Sequence, residues 1–104
     1  MYLIIWEYQV KPDRVTEFEE AYAARGAWAR FFQRDSGYLG TELLCDLSDS
    51  QRYITIDRWA SSKEYESFLA QRETEYAALD TQFDRLTEKE FLSGKWESIS
   101  SETR

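Results

Sequence analysis

The chain has 104 residues, enough for one hydrophobic core and not for two, and its 42% hydrophobic and 16% aromatic content is too apolar for a disordered chain. The 20 acidic against 13 basic residues give a formal charge of -7, a field that repels phosphate backbones and anionic lipid and so excludes nucleic acid and membrane as partners. With no histidine and one cysteine there is nothing from which to build a Zn, Cu or haem site of the usual kind, and no EF-hand-like spacing is present, so neither metal nor cofactor is expected.

The opening run Met1 to Trp6 is apolar but lacks a basic flank, and Glu7 interrupts it far short of the roughly 20 residues of a membrane span, so it reads as a strand rather than a signal. Tyr2, Ile4, Trp6, Tyr8 and Val10 share one face at period two, and Leu3 and Ile5 make the other face apolar as well, which predicts a strand buried on both sides. Lys11-Pro12-Asp13 ends it, with Pro12 suited to the start of a helix. Val15, Phe18, Tyr22 and Gly26 then recur at helical spacing with Glu17, Glu19 and Glu20 outside, predicting a helix over about 13 to 33 that Gly26 bends or divides. Trp28, Phe31 and Phe32 form a second apolar cluster on it.

Asp35-Ser36-Gly37 is a turn, and Tyr38 to Leu47 alternates with Leu39, Thr41, Leu43, Cys45 and Leu47 on one side, a second strand. Cys45, among leucines and with no histidine to activate it, reads as a buried inert thiol; lacking a disulfide partner, it also fits a cytoplasmic location. The turn chemistry of Asp46 to Ser50 leads into Arg52 to Trp59, a third strand in a hairpin with the second. Ser61-Ser62-Lys63-Glu64 is a capping box, which opens a second helix with an inner stripe of Tyr65, Phe68, Leu69, Arg72, Tyr76 and Leu79, followed by a short helical turn to Leu86. Thr87 to about Ile99 is the last strand, irregular at Ser93-Gly94, and 100–104 is a polar, frayed tail.

The order β-α-β-β-α-β over 1–99 predicts one α+β domain of ferredoxin-like plan: a four-stranded antiparallel sheet with two main helices on one face. The other face would stay uncovered, yet the first and third strands put apolar residues on it. A second copy of the chain, sheet against sheet, is the expected cover, so a homodimer is predicted.

Several side chains have chemistry to offer. Arg72 falls on the inner stripe of the second helix, where it either orients a phenolate or enolate oxygen or closes a structural ion pair near the surface. Asp57, on the third strand between Thr55 and Trp59 of its own face, either pairs across the sheet or has a raised pKa that suits a general base; Glu7 and Glu90 pose the same question. The inner stripe of the first helix shrinks from Tyr22 to Gly26 and Ala29 opposite Trp6 and Tyr8. That is either close packing or a slot for a flat ligand, with Trp6, Tyr22, Trp28, Tyr65 and Phe68 as its walls.

Trp6-Glu7-Tyr8-Gln9-Val10 followed by Pro12, then Phe18 and Tyr22, Gly37 to Leu44, and Tyr53 to Trp59 leading to Ser61, resemble the antibiotic biosynthesis monooxygenase domain of the dimeric α/β barrel group. The resemblance spans about positions 2 to 99. It implies a range that includes cofactor-independent oxygenases of quinols and polycyclic phenols as well as haem-degrading enzymes. The latter use an axial histidine, and here there is none, while Trp6 and Phe68 stand near positions held there by asparagine and tryptophan; haem degradation is disfavoured. The implied activity is oxygenation of a small aromatic ligand, with Asp57 taking its proton and Arg72 holding the oxyanion. The alternative is a non-catalytic dimeric barrel that binds a small apolar molecule or a partner peptide.

Overall fold

The computed structural model describes residues 1–99; the expected frayed tail lies outside the described residues. The elements are β1 (Tyr2–Val10), α1 (Val15–Tyr22), α2 (Ala27–Phe32), β2 (Tyr38–Asp46), β3 (Asp49–Trp59), α3 (Ser62–Gln71), α4 (Glu73–Phe83) and β4 (Thr87–Glu97), with 3-10 turns at Pro12–Arg14 and Asp84–Leu86. The four strands form one antiparallel sheet in the order β2-β3-β1-β4, the ferredoxin-like α+β arrangement. Among the described residues no helix is long and apolar enough to cross a membrane.

The two central strands follow their sequence pattern closely. The inward set of β1 pairs with that of β3 in register, Tyr2 with Trp59, Ile4 with Asp57, Trp6 with Thr55 and Tyr8 with Tyr53. Tyr53, Thr55, Asp57 and Trp59 are all buried, and the core condenses on this face. Trp59 is fully buried, with the rings of Phe32, Tyr38, Tyr65 and Phe68 at 5.4–5.6 Å. Phe18, also fully buried, stacks on Tyr22 at 4.3 Å. Each such side chain contributes about 1.5–3 kcal/mol by leaving water.

Both long helices are broken. At the first break, Gly26 caps α2, and a Cβ there would lie 2.4 Å from the carbonyl oxygens of Glu20 and Ala21. The chain doubles back so tightly that only hydrogen fits. The second break is at Arg72, whose backbone (φ -129°, ψ 32°) ends α3 and starts α4. The single stripe expected from Tyr65 to Leu79 is therefore two stripes on two helices. At the start of α3 the first half of the capping box forms, Ser61 Oγ accepting from the backbone N–H of Glu64 at 3.2 Å, while the Glu64 carboxylate accepts from the Ser61 hydroxyl at 3.4 Å rather than from its backbone N–H.

Strand β2 departs from simple alternation. Tyr38 pairs with Trp59 and Gly40 with Arg58, leaving Leu39 as an extra residue in a bulge where Gly40 takes φ 137°, a conformation open to glycine. Tyr38 and Thr41 thus both face inward, while Leu39 is 54% exposed instead of sharing the side of Thr41. Cys45 is exposed, not buried: β2 is an edge strand, and the thiol lies at its end next to the turn, 3.6 Å from the carbonyl oxygen of Asp46. In β4 a second register shift falls at Ser93, where irregularity was expected, and the strand ends at Glu97 rather than Ile99.

The face away from the helices carries Leu3, Ile5, Ile54 and Ile56 half-buried, with Leu44, Phe91 and Trp96 exposed around them. Two of its arginines pair there, Arg52 with Glu7 at 2.8 Å and Asp46 at 2.9 Å, and Arg58 with Glu42 at 3.1 Å.

Candidate functional site

Between the inner sheet face and the helices lies a recess whose empty space comes to about 460 Å³ when the open solvent at its mouth is included, while the cavity proper is only about 30 Å³, room for roughly two waters with the side chains as they stand. Its floor is the sheet: Trp6 and Tyr8 from β1, Thr41 from β2, and Thr55 and Asp57 from β3, with Glu90 of β4 at one margin. Its roof is aromatic, Tyr22, Trp28 and Phe32 from the first helical pair and Tyr65 and Tyr76 from the second, with Asp80 beside them. The recess exists because alternate residues of four strands must face inward, while the breaks at Gly26 and Arg72 turn the helix axes away from a continuous cover.

Asp57 is the only buried carboxylate among the described residues, 8% exposed. Among the described residues no cation pairs with it. Its oxygen Oδ1 accepts from Thr41 Oγ1 at 2.5 Å, and because that hydroxyl proton is committed, the Tyr38 hydroxyl, 2.5 Å from Thr41 Oγ1, is the donor of the next link. Burial pushes the Asp57 pKa up to about 6, the hydrogen bond from Thr41 opposing the shift without cancelling it. A hydrogen-bonded line thus runs from the recess through Thr41 to half-buried Tyr38.

The phenols of the recess stay neutral. Burial raises the pKa of Tyr8, whose hydroxyl meets Thr55 Oγ1 at 2.9 Å, and those of Tyr22 and Tyr65; it takes Tyr76 up to about 12, with Asp80 adding to the shift. The indole N–H of Trp28 is buried and finds no acceptor in hydrogen-bonding geometry, although the Tyr22 hydroxyl lies near enough to feel it. Glu90 has its pKa raised by burial first and then by Asp80 and Asp84. Among the described residues no three carboxylates or thiols come together as a metal site.

Of the residues singled out in the sequence, Trp6, Tyr22, Trp28, Tyr65 and Asp57 come together in this recess. Phe68 does not line it: it is 3% exposed in the core, edge-on to Phe31 at 5.0 Å and tilted against Trp59. Arg72 does not line it either. The helix break carries its guanidinium over the ring of Phe68, 5.2 Å from the centroid, and to the carboxylate of Glu75 at 3.4 Å, so the ion-pair alternative describes its placement. Glu7 pairs with Arg52, the cross-sheet pairing weighed for it, while Asp57 has Thr41 in place of a cation.

Tyr8, Thr41, Thr55, Tyr76 and Asp80 line the recess without having been singled out as site residues. Tyr8 and Thr55 share the face of Trp6 and Asp57 at period two and were open to the same reading. Thr41 needs the hairpin register that sets it opposite Asp57, and Tyr76 and Asp80 lie beyond a break that no glycine or proline announces. Chemically, the arrangement offers closely packed aromatic walls, one buried proton acceptor poised near neutrality, and one unpaired buried donor.

Comparison with known structures agrees with this architecture. SnoaB, a cofactor-independent oxygenase from Streptomyces nogalater, superposes with a TM-score of 0.77 over 99% of this chain and 97% of its own at 20% identity, and a single-residue variant of it with 0.78 over the same shares at the same identity. A Deinococcus radiodurans protein classed provisionally as an antibiotic biosynthesis monooxygenase gives 0.76 at 12% identity, over 97% of this chain and 95% of that one. At these identities the likeness is one of fold. No curated protein matches the sequence significantly. The family description "Antibiotic biosynthesis monooxygenase" matches residues 1–78, three quarters of the chain, and the protein belongs to that family.

Proposed function

We propose that the recess is the active site of a cofactor-independent monooxygenase acting on a small electron-rich aromatic, a quinol or polycyclic phenol. The observation that carries this reading is Asp57: a carboxylate buried among aromatic rings, without a cation among the described residues, at the floor of a recess that opens to solvent and that a flat ligand would enter by displacing its aromatic walls. Burial of an unpaired carboxylate is costly, and it makes the group a stronger base than an ordinary carboxylate, which narrows the gap to a phenol without closing it. Asp57 takes the phenol proton, and Thr41 and Tyr38 line the way out for it. The phenolate gives one electron to O2. The resulting radical pair joins as a peroxide anion at a ring carbon that bears hydrogen; it takes up one proton, replacing the one lost from the phenol, to become a hydroperoxide, and loss of water leaves a carbonyl there, so one oxygen atom ends in product and one in water. The protein contributes desolvation, orientation and the proton acceptor. No oxyanion role is proposed for Arg72, which stands outside the recess.

The sheet face away from the recess supports a homodimer, since Leu3, Ile5, Ile54 and Ile56 with Phe91 and Trp96 form an apolar surface that a second copy would cover.

The test is oxygen uptake with a panel of hydroquinones and anthrones. Turnover above the rate without protein, lost in Asp57→Asn, is expected. Uptake at the rate without protein, with the same compounds bound, would instead establish the non-catalytic reading.

A further inference from the structure

Resting on the assignment of the recess as a ligand site, we infer that it selects by charge: it takes flat phenols that are neutral or carry a cationic amine, and rejects the same ring bearing a carboxylate.

The argument starts from the register. Asp57 lies opposite Ile4 on β1, and Glu90 lies opposite Tyr8 across the other edge of β1. Four residues along a strand and two strand spacings across separate them by on the order of 15 Å. The two carboxylates therefore mark opposite ends of the recess. Asp57 is the buried end, where a phenol hydroxyl finds its acceptor. Glu90 is the exposed end, and Asp80 of α4 lies close enough to raise its pKa.

Between the ends stand aromatic faces. Trp28 meets Tyr76 at 5.2 Å and Tyr22 at 6.2 Å, and Trp6 lies on the floor. Aromatic faces beside carboxylates attract a cationic amine and repel an anion. No residue lining the recess is basic. Of the basic side chains near the recess, Arg85 pairs with Glu17 at 3.2 Å, Lys89 sits opposite Gln9 on the other face of the sheet, and Lys95, opposite Ile4 on the inner face, is exposed at the sheet edge and does not line the recess. The buried N–H of Trp28 offers a ligand a hydrogen bond but no charge, so it cannot balance Asp57, Asp80 and Glu90 against an anionic ligand.

The experiment is titration calorimetry of the full chain at low ionic strength and near-neutral pH with three ligands of one ring system: 2-naphthol, 6-aminomethyl-2-naphthol and 6-hydroxy-2-naphthoate. The amine is expected to bind tightest and the carboxylate at least about tenfold more weakly, a gap that shrinks with added salt because the mouth carboxylates are exposed. The Asp80→Asn/Glu90→Gln double variant, with circular dichroism to confirm its fold, is expected to bring the three affinities to within about threefold, chiefly by strengthening the carboxylate. Carboxylate binding as tight as amine binding, or a gap between amine and carboxylate that the double variant leaves undiminished, overturns the inference. If all three bind alike, the ligand site stands and charge selection alone falls. If none binds, the site assignment fails with it.

Discussion

Asp57 should lower the stability of the fold at neutral pH, and Asp57→Asn isolates the effect. Burial raises its pKa from 3.8 to about 6, so the folded chain holds this proton more tightly than the unfolded chain does. Stability from this group is therefore greatest below the unfolded pKa, declines as pH rises through the interval, and levels off above about 6. A shift of roughly two units corresponds to about 3 kcal/mol, and the side chain is buried enough for that conversion to hold to its order of magnitude. Asparagine keeps the shape, stays neutral and accepts from Thr41, so it removes the penalty without opening a cavity. Urea unfolding followed by far-ultraviolet circular dichroism, from about pH 4 to about pH 8, gives the difference between variant and parent at each pH. All other titrating groups are common to both chains. The variant should gain on the parent as pH rises, by up to about 3 kcal/mol, with most of the change between about pH 4 and 6. A difference that does not depend on pH, or a variant less stable than the parent at the alkaline end, refutes the reasoning. Under the proposed function the same substitution abolishes turnover, so stability and activity move in opposite directions.

Gly26→Ala forces a Cβ against two backbone carbonyls that cannot step aside; a loss of about 1–3 kcal/mol or more is expected in thermal unfolding. Ser61→Ala removes the acceptor for the Glu64 N–H and should cost about 1 kcal/mol in the same measurement, with Ser61→Thr recovering most of it. Ile56→Glu places a charge in the middle of the outer sheet face. Light scattering should then report the monomer mass of 12.4 kDa for the variant and twice that for the parent, and a parent at monomer mass would refute the dimer.

The sequence makes the central strands readable because burial acts on every second residue: β1 and β3 face helices on one side and present isoleucines on the other, so period two appears without interruption. That same regularity placed Trp6 and Asp57 on one face. The aromatic residues of α1, α2 and α3 were equally visible, since Tyr22, Trp28 and Tyr65 had to point inward for the helices to pack at all. What escaped depends on nonlocal geometry. The bulge at Leu39 shifts the parity of β2, and only Gly40 hints at it. The break at Arg72 has no helix breaker in it, and it sets Arg72 outside the site while Tyr76 and Asp80 join it; Phe68, before the break, is taken up by the core instead. Cys45 looked buried because leucines surround it in the sequence, but an edge strand exposes its far end whatever its neighbours are.

The four tryptophans occupy three different environments: Trp6 and Trp28 in the recess, Trp59 sealed in the core, and Trp96 on the outer sheet face at 58% exposure. The chain is for that reason its own optical instrument. Ligand in the recess changes the emission of Trp6 and Trp28, association through the sheet shifts Trp96 toward the blue, and loss of the core shifts Trp59 toward the red. Variants that keep one indole at a time, with phenylalanine at the other three positions, resolve occupancy, assembly and unfolding as separate signals from a single unlabelled protein.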